Sequence, residues 1–169
     1  MKKFQISVCR SDTEDTTLSS SVTDLAERIG ALIAQQKGIV ICGGKGGVME
    51  AVCKGAKSKG GRTLGILPGY NTLEANQYVD IAIPTGLGHQ RNYLVVEAGH
   101  CIIAIGGGWG TLNEISYGFI THKPVVLVKG SGGVVDMLLK SPILEKRGKL
   151  YAVADSAETA VTHALSFIQ

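Results

Sequence analysis

The chain has 169 residues, 44% hydrophobic and 18% charged, and its 17 basic and 14 acidic residues leave a net charge of +3. This length can bury a core as one domain spanning 1–169, and the composition is that of a globular protein. The charge is too mild for a nucleic-acid binder, no basic run is interleaved with aromatics, and no apolar stretch reaches the roughly 18 residues of a membrane span.

The first strand is predicted from Phe4 to Cys9, followed by a polar loop from Arg10 to Ser20. The apolar run after Met1-Lys2-Lys3 is too short for a signal peptide, so a cytoplasmic location is expected. A helix follows from Val22 to Gln36. Ser21 and Asp24 resemble a capping box, Leu25, Ile29, Leu32 and Ile33 form an apolar stripe, and Gly38 suits the C-terminal cap. A strand from Ile39 to Cys42 leads into Gly43-Gly44-Lys45-Gly46-Gly47 and a helix from Val48 to Lys59, which stops at Gly60-Gly61. Thr63 to Leu67 is the third strand, and Pro68 to Asn76 is rich in turn residues.

A short strand from Val79 to Ile83 comes next. Thr85-Gly86-Leu87-Gly88 then turns into a helix from His89 to Ala98. The strand Cys101 to Ile105 runs into Gly106-Gly107-Gly108-Trp109-Gly110, and a helix is predicted from Thr111 to His122. Val125 to Val128 and Leu150 to Val153 read as strands, with a short helix from Val134 to Leu139 between them. The last helix begins at a capping box, Asp155-x-x-Glu158.

Strands that are apolar on both faces and alternate with helices imply a parallel sheet covered on both sides, a Rossmann-like doubly wound α/β fold. Ligands in that architecture bind beyond the carboxyl ends of the strands. Both glycine-rich loops and the turn at 85–88 fall on that edge. Glycine lets a ligand approach the backbone, and the first N–H groups of a helix attract an anion, so the pattern points to a phosphate-bearing small molecule.

Known glycine-loop chemistries are excluded in turn. Lys45 is followed by Gly46 and not by Ser or Thr, so the first loop is not a Walker A loop. The first strand ends in Cys9-Arg10-Ser11 without the G-x-G-x-x-G of a dinucleotide fold, so NAD is not expected. No lysine sits in a recognisable pyridoxal phosphate setting. The 23 glycines are about twice the usual share and cluster at strand ends. The four cysteines lack C-x-x-C spacing and His89, His100, His122 and His163 lack metal spacing, which predicts reduced thiols, structural histidines and no metal site. Cys9 and Cys42, at strand ends, are placed where either could face a ligand.

Arg91 and Glu114 open the helices after the second and third of these turns. Together they could hold a ribose or phosphate, or stabilise a ribosyl cation while water cleaves an N-glycosidic bond. Thr111-x-x-Glu114 equally fits a capping box in which Glu114 serves its own backbone. Trp109 could flank a flat base or pterin, or pack on a neighbouring subunit.

Gly43-Gly44-x-x-Gly47-Val48-Met49, Leu64-Gly65-Ile66-Leu67-Pro68-Gly69, Arg91 and Gly107-Gly108-x-Gly110-Thr111-x-x-Glu114 occur in the order that resembles the LOG superfamily, once labelled possible lysine decarboxylases. The resemblance covers nearly the whole chain. It implies a Rossmann-like homodimer or higher oligomer, such as a homotetramer. The LONELY GUY-type members are cytokinin riboside 5′-monophosphate phosphoribohydrolases with a P-G-G-x-G-T-x-x-E motif and an Arg often followed by Lys. Here Gly106 replaces the Pro, and Asn92 follows Arg91. The run from Val79 to Asn92 and the segment Lys59 to Gly69 look more like the molybdenum-cofactor carrier branch.

The resemblance thus implies a cargo, the molybdenum cofactor, or a nucleoside monophosphate that is cleaved. The implied binding set is Gly43, Gly44, Lys45, Gly46, Gly47, Met49, Gly86, Arg91, Asn92, Gly107, Gly108, Trp109, Gly110, Thr111 and Glu114. Arg91 and Glu114 are the catalytic pair if the chain is a hydrolase.

Overall fold

The structure, a computed structural model, describes residues 4–10 and 19–168. Most of the polar loop expected at 10–20 therefore lies outside the described residues. Seven strands form one parallel sheet in the order β4-β3-β2-β1-β5-β6-β7. They are β1 (Gln5–Cys9), β2 (Ile39–Cys42), β3 (Arg62–Leu67), β4 (Ile81–Pro84), β5 (Cys101–Ile105), β6 (Val125–Val128) and β7 (Tyr151–Ala154). The order reverses at β1, which pairs with β2 through Ser7 opposite Ile41 and with β5 through Ser7 opposite Ile102. A crevice opens beyond the strand ends at such a reversal.

The helices are α1 (Ser20–Gln35), α2 (Val48–Ser58), α3 (Asn92–Ala98), α4 (Trp109–Ile120), α5 (Gly133–Leu139) and α6 (Ala157–Ser166). Side chains alternate across each strand and feed two cores. Ile6, Val8, Ile103 and Ile105 pack with α1, α2 and α6 on one face. Cys9, Ile102 and Ala104 pack with α3, α4 and α5 on the other. Within the first layer, Gly30 of α1 lies against the Val52 carbonyl and Gly55 of α2 against the Glu27 carbonyl, so a methyl at either would collide with backbone. The two helices touch because neither carries a side chain there.

Several local expectations shift. Helix α1 starts at Ser20, so Ser21 and Asp24 form no capping box; Ser19 is the N-cap and makes no side-chain cap bond. At its other end Lys37, not Gly38, takes the left-handed conformation (φ +63°), while the Gly38 N–H bonds to the Ile33 carbonyl. Gly38 is needed for space instead, because a Cβ there would strike the Phe4 ring. Strand β4 begins at Ile81 and not Val79, since the Asp80 carboxylate is spent on the Thr63 N–H and hydroxyl. The capping box of α6 is Ser156 with Thr159, one residue beyond the expected Asp155 and Glu158. A 3-10 segment, Pro142–Leu150, fills what reads as loop, and another, Thr72–Glu74, lies within the turn-rich stretch.

Strand β4 is one edge of the sheet and β7 is the other. Strand β4 is four residues long, exposes Ile81 and Ile83, and ends on Pro84. The Lys57–Asp80 ion pair stands beside its start.

Candidate functional site

At the carboxyl ends of β1, β2, β3, β4 and β5 lies a cavity of about 500 Å³. Each strand contributes through the segment that follows it. The loop after β2 brings Lys45, Gly46 and Gly47, and α2 brings Met49. The connection after β4 is a 3-10 turn, Gly88–Arg91, that runs straight into α3. It places Gly88, His89, Arg91 and Asn92 in the wall. Helix α4 contributes Gly110 and Glu114, and Arg10 and Pro68 complete the lining.

The helix after the second glycine loop begins earlier than expected. Gly108 is the N-cap of α4 and offers no side chain to its first turn. Trp109 is already helical, so Thr111 and Glu114 lie inside the helix and the capping-box alternative for Glu114 falls away. Glu114 is instead 4% exposed. Its Oε1 stands 3.6 Å from Arg91 Nη1, and it accepts a hydrogen bond from the Cys9 thiol. Burial raises its pKa to about 7, against the opposing pull of Arg91 and the Cys9 bond. Burial likewise pushes the Cys9 thiol well up, and the Glu114 charge adds to the effect.

Arg91 lies in the cleft between the two halves of the sheet. Its guanidinium sits over Gly43, where a Cβ would occupy the place of Nη2 and would also meet Met49 Sδ at 2.8 Å. Nη1 donates to the Asn92 side-chain oxygen, and Asn92 in turn donates to Asn113 of α4 at 3.0 Å. Among the described residues, Arg91 Nε is the buried side-chain nitrogen or oxygen left without a partner. A buried unmet donor on a cavity wall is costly unless a ligand oxygen takes it.

The two glycine loops are held differently. Asn76 Nδ2 donates to the carbonyls of Gly44 (3.2 Å) and Lys45 (2.8 Å), and the Asn76 N–H donates to Gly44 as well. Lys45 pairs with Glu74 at 2.8 Å. Below the loop, the Gly44 N–H points to Cys42 Sγ at 3.3 Å, and Cys42 lies 3.5 Å from Cys53. The thiol of Cys53 donated to it lowers the Cys42 pKa, against burial. In the second loop, the Gly106 N–H donates to Ser131 Oγ at 2.7 Å, and the Gly107 carbonyl accepts from Val134 at 2.7 Å.

Of the expected binding set, the cavity wall gathers Lys45, Gly46, Gly47, Met49, Arg91, Asn92, Gly110 and Glu114. Gly43 and Gly44 lie behind that wall. Gly107 and Gly108 form the turn beneath α4, where Gly107 is pressed against Thr111. Gly86 is covered by the Tyr70 ring. Trp109 points outward, 75% exposed, and is not in the lining. Arg10, Pro68, Gly88 and His89 also line the cavity and lie outside the expected binding set. The strand-end rule alone marks Arg10, since it directly follows β1. Among the described residues no cluster of three His, Cys, Asp or Glu could hold a metal ion.

With this geometry in hand, comparison with known proteins decides the lineage: the SLOG cluster4 family model matches residues 3–161. The chain belongs to the SLOG cluster4 family. Its LOG-type relatives include a Mycobacterium tuberculosis cytokinin riboside 5′-monophosphate phosphoribohydrolase, 32% identical over 119 residues (64% of this chain, 63% of that enzyme). The counterpart LOG5 from Arabidopsis thaliana is 30% identical over 100 residues, which span 57% of this chain but 42% of the enzyme. An uncharacterised Archaeoglobus fulgidus protein is 46% identical over 105 residues, 62% of this chain and 69% of its own.

Solved structures match over the full length. The molybdenum cofactor binding protein of Rippkaea orientalis superposes with a TM-score of 0.89 at 34% identity, covering 100% of this chain and 99% of that one. The Moco carrier protein of Chlamydomonas reinhardtii gives 0.84 at 30%, covering 99% of each. The SLOG cluster4 chain therefore has the α/β Rossmann-like fold of both groups. Among its described residues no helix is long and apolar enough to cross a membrane.

Proposed function

We propose that the protein binds the molybdenum cofactor as a carrier or storage protein, holding the phosphate-bearing cargo in the cavity between the two glycine loops. The observation that carries this reading is Arg91. Its side chain lines a cavity together with further cations, and its Nε is buried without a partner, a site that suits an oxyanion. The end-to-end likeness to cofactor-binding and carrier proteins supports the same cargo. Burial holds the Glu114 pKa up at about 7, so at neutral pH its carboxyl carries less negative charge than an ordinary glutamate. Protonation withdraws a negative charge that would compete with the ligand for Arg91. Gly46 and Gly47 let backbone approach the cargo, and the uncapped start of α4 adds partial positive charge.

A second reading is favoured by one specific observation. Arg91 and Glu114, from different helices, meet in the cavity at 3.6 Å, the pair that the phosphoribohydrolase resemblance requires. In that reading the ligand is a nucleoside 5′-monophosphate such as a cytokinin riboside monophosphate, and Glu114 acts in its ionised form.

Two experiments separate the readings. Titration of purified molybdenum cofactor into the protein is expected to show saturable binding, tighter than that of an unrelated phosphate ester; equal affinity for the two removes the carrier reading. Incubation with nucleoside 5′-monophosphates, the prenylated adenosine form included, is expected to release no free base. Base release that disappears in Glu114→Ala would establish the hydrolase instead. We also expect a homodimer or homotetramer in the cytoplasm, with sedimentation as the check on assembly.

A further inference from the structure

Arg10 stands outside every motif that carries the family resemblance, yet it lines the same cavity at 5% exposure. It follows the central strand directly. Its Nη1 lies 3.5 Å from the carbonyl oxygen of Ser131, in the loop between β6 and α5. The side chain thus reaches toward β5 and β6, away from Lys45 on the β2 side.

The space for it is made by Gly106. At φ +49° this residue is in the left-handed region, and a Cβ on it would collide with both Arg10 Nη1 and the Ser131 carbonyl oxygen. Proline, which the phosphoribohydrolase motif carries here, holds φ near −65° and cannot follow this path. The Gly106 N–H and the Arg10 guanidinium meet the same residue, Ser131, through its hydroxyl and its carbonyl. The absence of a side chain at 106 and the presence of a guanidinium in the cavity are one arrangement.

We propose that Arg10 is a specificity-determining residue: admitted by Gly106, its guanidinium supplies a fixed cation besides Arg91 and binds an oxyanion of a phosphate-ester ligand. The inference rests on the reading of this cavity as a phosphate-ester site. A guanidinium is always charged and offers five donors in a planar fork, so Arg10 can keep its contacts within the protein, the Ser131 carbonyl among them, and bind an oxyanion beside them. Arg10, just after β1, and Arg91, at the end of the 3-10 turn before α3, approach from different elements, which favours a ligand whose negative charge extends across the cavity over a small monovalent anion.

The test is calorimetric titration of 5′-AMP and of purified molybdenum cofactor into the wild type, Arg10→Lys, Arg10→Met, Gly106→Ala and the double variant Arg10→Met/Gly106→Ala, at two salt concentrations. For whichever probe the wild type binds, Arg10→Met is expected to weaken binding on the order of tenfold and to reduce its salt dependence. Arg10→Lys should recover part of the loss, which a purely structural role would not produce. Gly106→Ala should lose a similar factor, and the double variant no more than either alone. Wild-type affinity in Arg10→Met, or losses that multiply in the double variant, would overturn the inference while leaving the site intact. If Gly106→Ala does not fold by circular dichroism, the Lys and Met variants and the salt dependence decide alone. Binding of neither probe to the wild type would remove the phosphate-ester reading itself, and the role of Arg10 with it.

Discussion

The glycine loop after β2 and the glycine loop after β5 look alike as sequence and both bury their first glycines, but they differ further along. At the tip of the first, Gly46 and Gly47 are exposed, and the nearest atom to a Cβ on Gly46 would be Glu50 Oε2, 4.0 Å away. That loop leaves room for a visitor. In the second, Gly106 and Gly107 are buried and press on the protein's own atoms: Arg10, Ser131 and Thr111. It has no room to spare and serves to hold Arg10 and α4, with Glu114, in place. A glycine-rich strand-to-helix turn therefore marks a site without saying whether ligand or protein fills the space.

The strongest way to break the comparison is to add one methyl to each loop. Gly107→Ala sets a side chain at φ +76° against Thr111 and is expected to cost about 3 kcal/mol or more. Gly46→Ala should cost less than about 1 kcal/mol of stability while weakening ligand binding. Chemical denaturation with a binding titration checks both, and equal stability losses would erase the distinction.

Next in size is Glu114, which the second loop holds. Its native pKa of about 7 lies above the ordinary 4.5, so the native state keeps this proton longer than the unfolded chain. Its contribution is present below about pH 4.5 and falls away as pH rises through 7, by on the order of 3 kcal/mol. Glu114→Gln cannot ionise, so its denaturation midpoint is expected to vary less than the wild type's between pH 5 and pH 8. Parallel pH profiles would show that Glu114 does not titrate in this window.

Asn76 sharpens the other side. It ties down the carbonyls of Gly44 and Lys45, and Asn76→Ala should cost about 1–2 kcal/mol, because two carbonyls lose a partner. Hydrogen exchange in residues 43–47 should rise more than in 106–110. The smallest effect is expected for Lys45→Gln. Its pair with Glu74 is partly exposed, so stability should change by less than about 1 kcal/mol, with phosphate-ester affinity falling a few-fold. A thermal melt and a titration report the two.

The fold is legible in this chain because its strands are short apolar runs ending in turn residues. β2, β5 and β6 have the expected limits, with every residue of β5 buried. Helix starts are read less well. Thr111-x-x-Glu114 imitates a cap, while the true N-cap, Gly108, has no side chain to advertise it. Lys37 took a conformation that glycine was expected to fill, so the C-terminal signal pointed one residue too far.

In the site, Arg91 and Glu114 are visible because each is a charged residue soon after a glycine turn. His89 is not, since nothing in its spacing distinguishes it from a surface residue, and Arg10 is marked only by its place directly after β1. Trp109 attracts attention as an aromatic in a glycine loop, but the early start of α4 turns it outward. Which side chains share a cavity depends on where each helix begins, and a one- or two-residue error there redirects every side chain that follows.

The edge at β4 has a colloidal consequence. An exposed strand edge is a template on which a second molecule can add its own strand. Here that template is four residues long, closes on Pro84 and is flanked by the Lys57–Asp80 pair. Ile81 and Ile83 can thus stand in water without offering a long, flat surface for fibril growth. The proline that ends this strand also limits pairing along the β4 edge from molecule to molecule in concentrated solution.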